Sequence, residues 1–151
     1  MGEYEIRTYD SVKVGEKATF SKTVTQVDDA LFAGISGDYN PVHIDEEYAK
    51  TTQFKTRIVH GAYTVGLISA VIGMKLPGPG CIYGSQTVRF TAPVHFGDTV
   101  TAIAEVIEKK EKGKRLIIKT IVLKDYCVFD SGKFPKDTVV AEGEATIFMM
   151  K

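Results

Sequence analysis

The apolar positions of this chain recur first at every second residue, then at helical spacing, and return to alternation over its last half. Residues 17–24 place Ala18, Phe20, Thr23 and Val24 among charged or polar neighbours after a turn at Gly15, and so predict a first strand. In the next segment Val27, Ala30, Leu31 and Gly34 fall at helical spacing, with Asp28 and Asp29 at the end where the helix dipole favours negative charge and Gly37 as a stop. Pro41 disfavours helical backbone at Asn40, so 38–43 is expected as an extended loop; Asp45 then opens a short helix over 46–51.

Residues 60–76, HGAYTVGLISAVIGMKL, are apolar nearly all round, interrupted only by Tyr63, Thr64, Ser69 and Lys75. A helix without a polar face is a buried helix. This one is too short, and too broken by Gly66 and Gly73, to span a membrane. After the turn at 77–80 the pattern is strand throughout: 82–90, 99–108, 116–129 and 139–149. One strand, then helices, then four strands around a wholly apolar helix give an α+β plan, a curved antiparallel sheet wrapped around a buried central helix. Such a sheet leaves open edges, and pairing with a second copy hides them, so a homodimer or higher homo-oligomer is expected.

Composition narrows the function classes. With 151 residues, 44% hydrophobic and 25% charged, the chain can bury one continuous core, and a single domain over 1–151 is expected. Lysine plus arginine equals aspartate plus glutamate at 19 each, which leaves no field to attract nucleic acid. Cys81 and Cys127 have no paired spacing, so reduced, buried thiols are expected rather than a disulfide framework or a zinc ribbon. The first residues are charged throughout and no long apolar run follows, which makes a cytoplasmic protein without membrane attachment the expectation.

The chemistry concentrates in one short segment. Asp38 and His43 stand five apart across a loop that Pro41 stiffens, so both side chains can be aimed at one point. A carboxylate beside a histidine can orient the ring and tune it, and the two together can hold a water and pass its protons. The same residues also suit an Asx-turn at Asp38 and a packed histidine. Asn40 can support the loop or bond Asp38. His60 is either a third catalytic group or a capping or packing residue at a helix start, and His95 carries no assigned role. The stretch 77–80 lacks the lysine and following helix of a phosphate loop.

The string Phe32-Ala33-Gly34-Ile35-Ser36-Gly37-Asp38-Tyr39-Asn40-Pro41-Val42-His43, with Ala49 after five more residues, resembles the signature of the MaoC-like (R)-specific enoyl-CoA hydratases. The likeness continues in Ile58-Val59-His60-Gly61-Ala62, in Pro77-Gly78-Pro79-Gly80 with Ile82-Tyr83, and from Val88 to Val94 with Gly97-Asp98-Thr99-Val100. It implies the hot dog fold, dimers with active sites near the subunit interface, no metal or redox cofactor, and an acyl-CoA substrate. Asp38 and His43 then occupy the positions that activate water, and Ser69 matches a serine that can bond near the pocket or back onto its own helix.

Addition of water to a conjugated thioester puts negative charge on the thioester oxygen, and a donor must meet it. Gly61 is the candidate, since a helix's first amides are unpaired and glycine allows close approach; the alternative is a plain tight turn. The basic run 109–115 suits a solvated hairpin, or a contact with a phosphate of the carrier. Alternatives within the fold are dehydration of 3-hydroxyacyl groups on acyl carrier protein or on a branched or dicarboxylic CoA ester, a non-catalytic acyl-CoA-binding module, and a thioesterase. Spacing leaves open whether Asp38 or His43 is the base.

Overall fold

A computed structural model describes residues 4–125 and 137–150. Strand β1 (Lys17–Thr23) precedes helices α1 (Gln26–Ser36), α2 (Pro41–Ile44), α3 (Glu46–Thr51) and α4 (Gly61–Met74). Strands β2 (Cys81–Phe90), β3 (Thr99–Lys110), β4 (Arg115–Lys124) and β5 (Thr138–Met149) follow. They form one antiparallel sheet in the order β1-β3-β4-β5-β2, with β1 and β2 as its edges. Alternation in sequence becomes alternation in space: Val100, Ala102, Ala104 and Val106 of β3 all point into the core.

Helix α4 lies across this sheet and touches β1, β2, β3 and β4. Leu67, Ile68, Val71 and Ile72 are buried beneath it, each contributing roughly 1.5–3 kcal/mol of apolar burial. The expectation of a helix buried on every side is corrected in part: Ala62, Gly66 and Ser69 form an exposed line along α4 in the single chain. Those side chains are too small to interrupt an apolar pattern, which is why periodicity did not separate the two faces.

The expected helix stop at Gly37 is present, in the left-handed conformation at φ 78°. The extended loop expected over 38–43 is not. Pro41 begins the helical turn α2 instead, because at the first helical position its missing N–H is no loss and its fixed φ already suits the helix. Asn40 caps the turn, its Oδ1 accepting from Val42 N at 3.3 Å. Cys81 is half-buried rather than fully buried; Cys127 and the end of the expected strand 116–129 lie outside the described residues. Among the described residues no helix is long and apolar enough to cross a membrane.

The turn before β3 ties the helical segment to the sheet. Val59 N donates to Val94 O at 2.8 Å, and Val24 N to Asp98 O at 2.9 Å. Asp98, fully buried, accepts from His95 N at 2.9 Å and pairs with buried Lys124 at 3.5 Å, so His95 stands in a structural turn. The basic hairpin sits at the other end of β3, about 35 Å away at strand rise. There Lys109 Nζ donates to the carbonyls of Tyr9 and Val12 and so anchors the N-terminal segment, while Lys114 pairs with Glu111 within the hairpin.

A Cβ on Gly143 would lie 1.8 Å from the Thr87 carbonyl oxygen of the paired strand, where no flexible side chain can yield. Gly143→Ala is therefore expected to lower the unfolding free energy by about 3 kcal/mol, the upper end for overpacking, as read from urea denaturation.

Candidate active site

Helix α1 begins on a capping box, Thr25 with Asp28, and turns Asp29 and Ala33 inward. It ends at Gly37, and the chain then carries Asp38, Tyr39 and Asn40 past the start of α4. The Asp38 side chain is 53% exposed in the single chain. Its Oδ1 accepts from Asn40 N at 3.1 Å, the Asx-turn, and the other oxygen remains available for chemistry. The Asx-turn expected at Asp38 is thus present and uses only one of its two carboxylate oxygens.

His43 follows in the single turn α2. Its Nδ1 lies 2.7 Å from the Ile58 carbonyl oxygen. A carbonyl can only accept, so Nδ1 carries the proton and the neutral ring presents Nε2 as a lone-pair acceptor. The returning bond, Ile58 N to Val42 O at 3.2 Å, makes the attachment reciprocal.

The carbonyl that orients His43 is itself held. Glu46 accepts from Thr56 Oγ1 at 2.9 Å, from Arg57 N at 3.2 Å and from Arg57 Nε at 3.3 Å. The Arg57 guanidinium also lies over the Phe96 ring, 5.1 Å from its centroid. The Thr56 hydroxyl, followed by the Arg57 amide and guanidinium, holds the Glu46 carboxyl below its ordinary value of 4.5 against the opposing effect of desolvation.

His60 occupies the N-cap position of α4, but its side chain makes no cap bond. It is buried to 1% exposure beside Asp29 at 2%. Its backbone N and ring Nδ1 donate to Asp29 Oδ1 at 2.9 and 2.8 Å, and its Nε2 donates to the Asp38 carbonyl oxygen at 2.9 Å. One face of the ring stacks on His43 with centroids 3.7 Å apart and planes 26° apart, and Phe32 packs at 5.1 Å. Atoms of Asp29, His43 and His60 lie within 4.8 Å of one another, a grouping that can suit a metal ion. Here the two Nδ1 atoms already donate to Asp29 and to Ile58, and stacked rings do not converge their nitrogens on one point.

Gly61, next in the chain, is the first residue of α4, and its amide precedes the first helical acceptor. A Cβ there would press on the Phe90 ring at 3.2 Å, so the glycine seats the helix start flush against an aromatic wall. The structure thus gathers Asp38, Asn40, His43, His60 and Gly61 around one point. Ser69 is not gathered there: it lies eight residues beyond Gly61, about 12 Å along the helix, on the exposed face.

Sequence reasoning missed Asp29, the Ile58 carbonyl and the clasp of Glu46 with Thr56 and Arg57. A signal existed for the first, since Asp29 stands four residues before Ala33 on the inward face of α1. A backbone carbonyl leaves no such mark.

A curved sheet wrapped around one helix is a hot dog fold. The chain belongs to the MaoC-like domain family, whose pattern matches residues 10–125. It is 45% identical over 141 residues to the (R)-specific enoyl-CoA hydratase of Rhodospirillum rubrum, covering 93% of this chain and 90% of that one. It is 40% identical over 149 residues to the 3-hydroxybutyryl-CoA dehydratase of Methylorubrum extorquens, covering 99% and 88%. The unliganded R-hydratase PhaJ1 from Pseudomonas aeruginosa superposes with a TM-score of 0.81 at 44% identity, covering 94% of this chain and 84% of that one.

The Glu46 clasp sets a pH dependence. A carboxyl whose folded value is lowered stabilises the fold above its unfolded value and loses that contribution as pH falls through the lowered one. Wild type is therefore expected to be more stable than Glu46→Gln above pH 4.5, with the difference shrinking as pH falls below 4.5, as read from urea denaturation at each pH.

Proposed function

We propose that the protein is an (R)-specific enoyl-CoA hydratase, a hydro-lyase that reversibly adds water to trans-2-enoyl-CoA to give (R)-3-hydroxyacyl-CoA. The observation that carries this reading is the Nδ1 bond of His43 to Ile58 O, which leaves the lone pair on Nε2 to act as a base. In the hydration direction a water lies between that nitrogen and the free oxygen of Asp38. Nε2 takes one proton from the water while the water's oxygen bonds carbon 3. The electron pair of the double bond moves towards the thioester oxygen, where the Gly61 amide meets the developing charge.

The imidazolium then returns its proton to carbon 2 on the face it took it from, giving syn addition and restoring the neutral ring. His43 is thereby assigned as the base and Asp38 as the group that holds the water and offsets the charge of the ring. Asn40 keeps Asp38 and the α2 turn in place through the bonds at its N and Oδ1. Dehydration runs the same steps in reverse. Relatives that act on CoA thioesters, at 40–45% identity, support the same carrier here, and we assign the protein to the cytoplasm on the ground of that substrate. A base fixed in a reactive tautomer serves chemistry rather than binding alone, which speaks against a non-catalytic module.

The site calls for a second copy of the chain. Asp38 is half-exposed, Leu31, Ile35 and Tyr39 beside it are exposed apolar groups, and β2 is an uncovered sheet edge. Proton transfer and oxyanion stabilisation are strongest where water is excluded. A homodimer joined at β2, with α4 facing its mate along Ala62, Gly66 and Ser69, supplies the cover and places Ser69 along the acyl path.

Asp38→Asn and His43→Gln are each expected to keep the fold and lose roughly 10²–10⁴-fold in kcat on crotonyl-CoA, followed by loss of the conjugated enoyl absorbance. A wild-type rate in either variant removes that residue from the assignment. Light scattering on the eluting protein should give twice the chain mass, and a monomer that turns over at full rate contradicts the shared site.

A further inference from the structure

The buried pair Asp29 and His60 touches both members of the acid/base pair without reaching the outer side of the site. We propose that His60, clamped by Asp29, is a positioning residue that sets the relative placement of Asp38 and His43. The role rests on the hydratase reading above.

Each attachment of the His60 ring has a distinct consequence. Nδ1 and the backbone N both donate to one carboxylate oxygen, Asp29 Oδ1, which fixes the ring about its own χ angles and pins the start of α4 to α1. Nε2 donates to the carbonyl of Asp38, so the backbone that carries the catalytic carboxylate is tied to the same ring. Nε2 is also 3.9 Å from Asp38 Oδ2, beyond a hydrogen bond, which leaves that oxygen to the substrate water. The flat face carries His43 at 3.7 Å, and a stacked ring resists the tilt that would swing Nε2 of His43 away. Both nitrogens of His60 face acceptors that cannot donate, so the ring holds its place by donating from both edges, as the doubly protonated form does.

His60 meets Asp38 at its ring edge and His43 at its ring face, so one buried side chain bridges the two. The buried carboxylate explains why this ring holds one orientation: Asp29 is out of water, and its hydrogen bonds to His60 replace those it would make there. A displacement of about 1 Å at a reacting atom can cost on the order of 10²-fold in rate. Loss of the clamp should therefore lower kcat while leaving substrate binding intact, since neither Asp29 nor His60 lies on the outer side of the site.

The test uses Asp29→Asn, His60→Gln and His60→Ala in the full chain, with Asp38→Asn beside them, assayed on crotonyl-CoA per folded protein. The expected result is a fall in kcat of roughly 10–100-fold with KM changed less than about 3-fold, and a smaller fall for His60→Gln, whose amide can still donate towards Asp38 O. Ring ¹⁵N–¹H spectra of the wild type should show protons on both nitrogens of His60 and on Nδ1 alone of His43. In Asp29→Asn the His43 signal should divide between tautomers or broaden. Wild-type kcat in folded His60→Ala, or a loss that falls on KM, overturns the positioning role, as does a wild-type spectrum with one His60 nitrogen unprotonated if none of the variants folds. Absence of wild-type turnover, with the spectra as described, would instead overturn the hydratase reading and leave the clamp standing.

Discussion

The hydrogen bond from His43 Nδ1 to the Ile58 carbonyl decides what the site can do. A histidine can donate or accept at either nitrogen, and a carbonyl partner removes that choice. With the proton confined to Nδ1, Nε2 is left with a lone pair, the requirement for the base of the proposed reaction. The acceptor belongs to a backbone segment outside any helix or strand, and neighbouring bonds hold it on both sides. Glu46 grips Thr56 and Arg57 just before it, and Val59 is bonded to Val94 just after it.

The sheet and the buried helix supply the frame for that bond. Helix α4 is fixed by its apolar face against β3 and its neighbours, and its first turn is brought to the motif by the attachment of His60 to Asp29. The N-terminus of a helix offers unpaired amides and a positive dipole end, the two things an enolate-like charge needs. The fold therefore joins two pieces of the proposed site: Asp38 and His43, from the connection after α1 and the single turn α2, and the first turn of the buried helix α4. The absence of a side chain at Gly61 lets that first turn sit close against the Phe90 ring, where a Cβ would lie 3.2 Å away.

Much of this was legible in the chain. The strands announced themselves because one face of each is buried, as the alternation of Val100, Ala102, Ala104 and Val106 shows. The end of α1 was readable because Gly37 adopts a backbone conformation that other residues disfavour. The pair Asp38 and His43 was visible as chemistry, and the family signature around it reinforced the reading. The local geometry between them was not: Pro41 reads as a helix breaker by residue type, whereas its position after a capping Asn40 makes it a helix starter. The bond from Asp29 to His60 spans 31 residues and leaves no period in the sequence, and the Ile58 carbonyl has no side chain to announce it. The line of Ala62, Gly66 and Ser69 reads as core because small residues do not distinguish a buried face from an exposed one.

The central claim is that one nitrogen, His43 Nε2, both takes the proton from water and returns it on the same face of the substrate. Hydration of crotonyl-CoA in D₂O, with chiral and NMR analysis of the product, tests it most directly. The account predicts (R)-3-hydroxybutyryl-CoA with a single deuterium at carbon 2 on the same face as the new hydroxyl. Deuterium on the opposite face, an (S) product, or release of free thiol without hydration would contradict it.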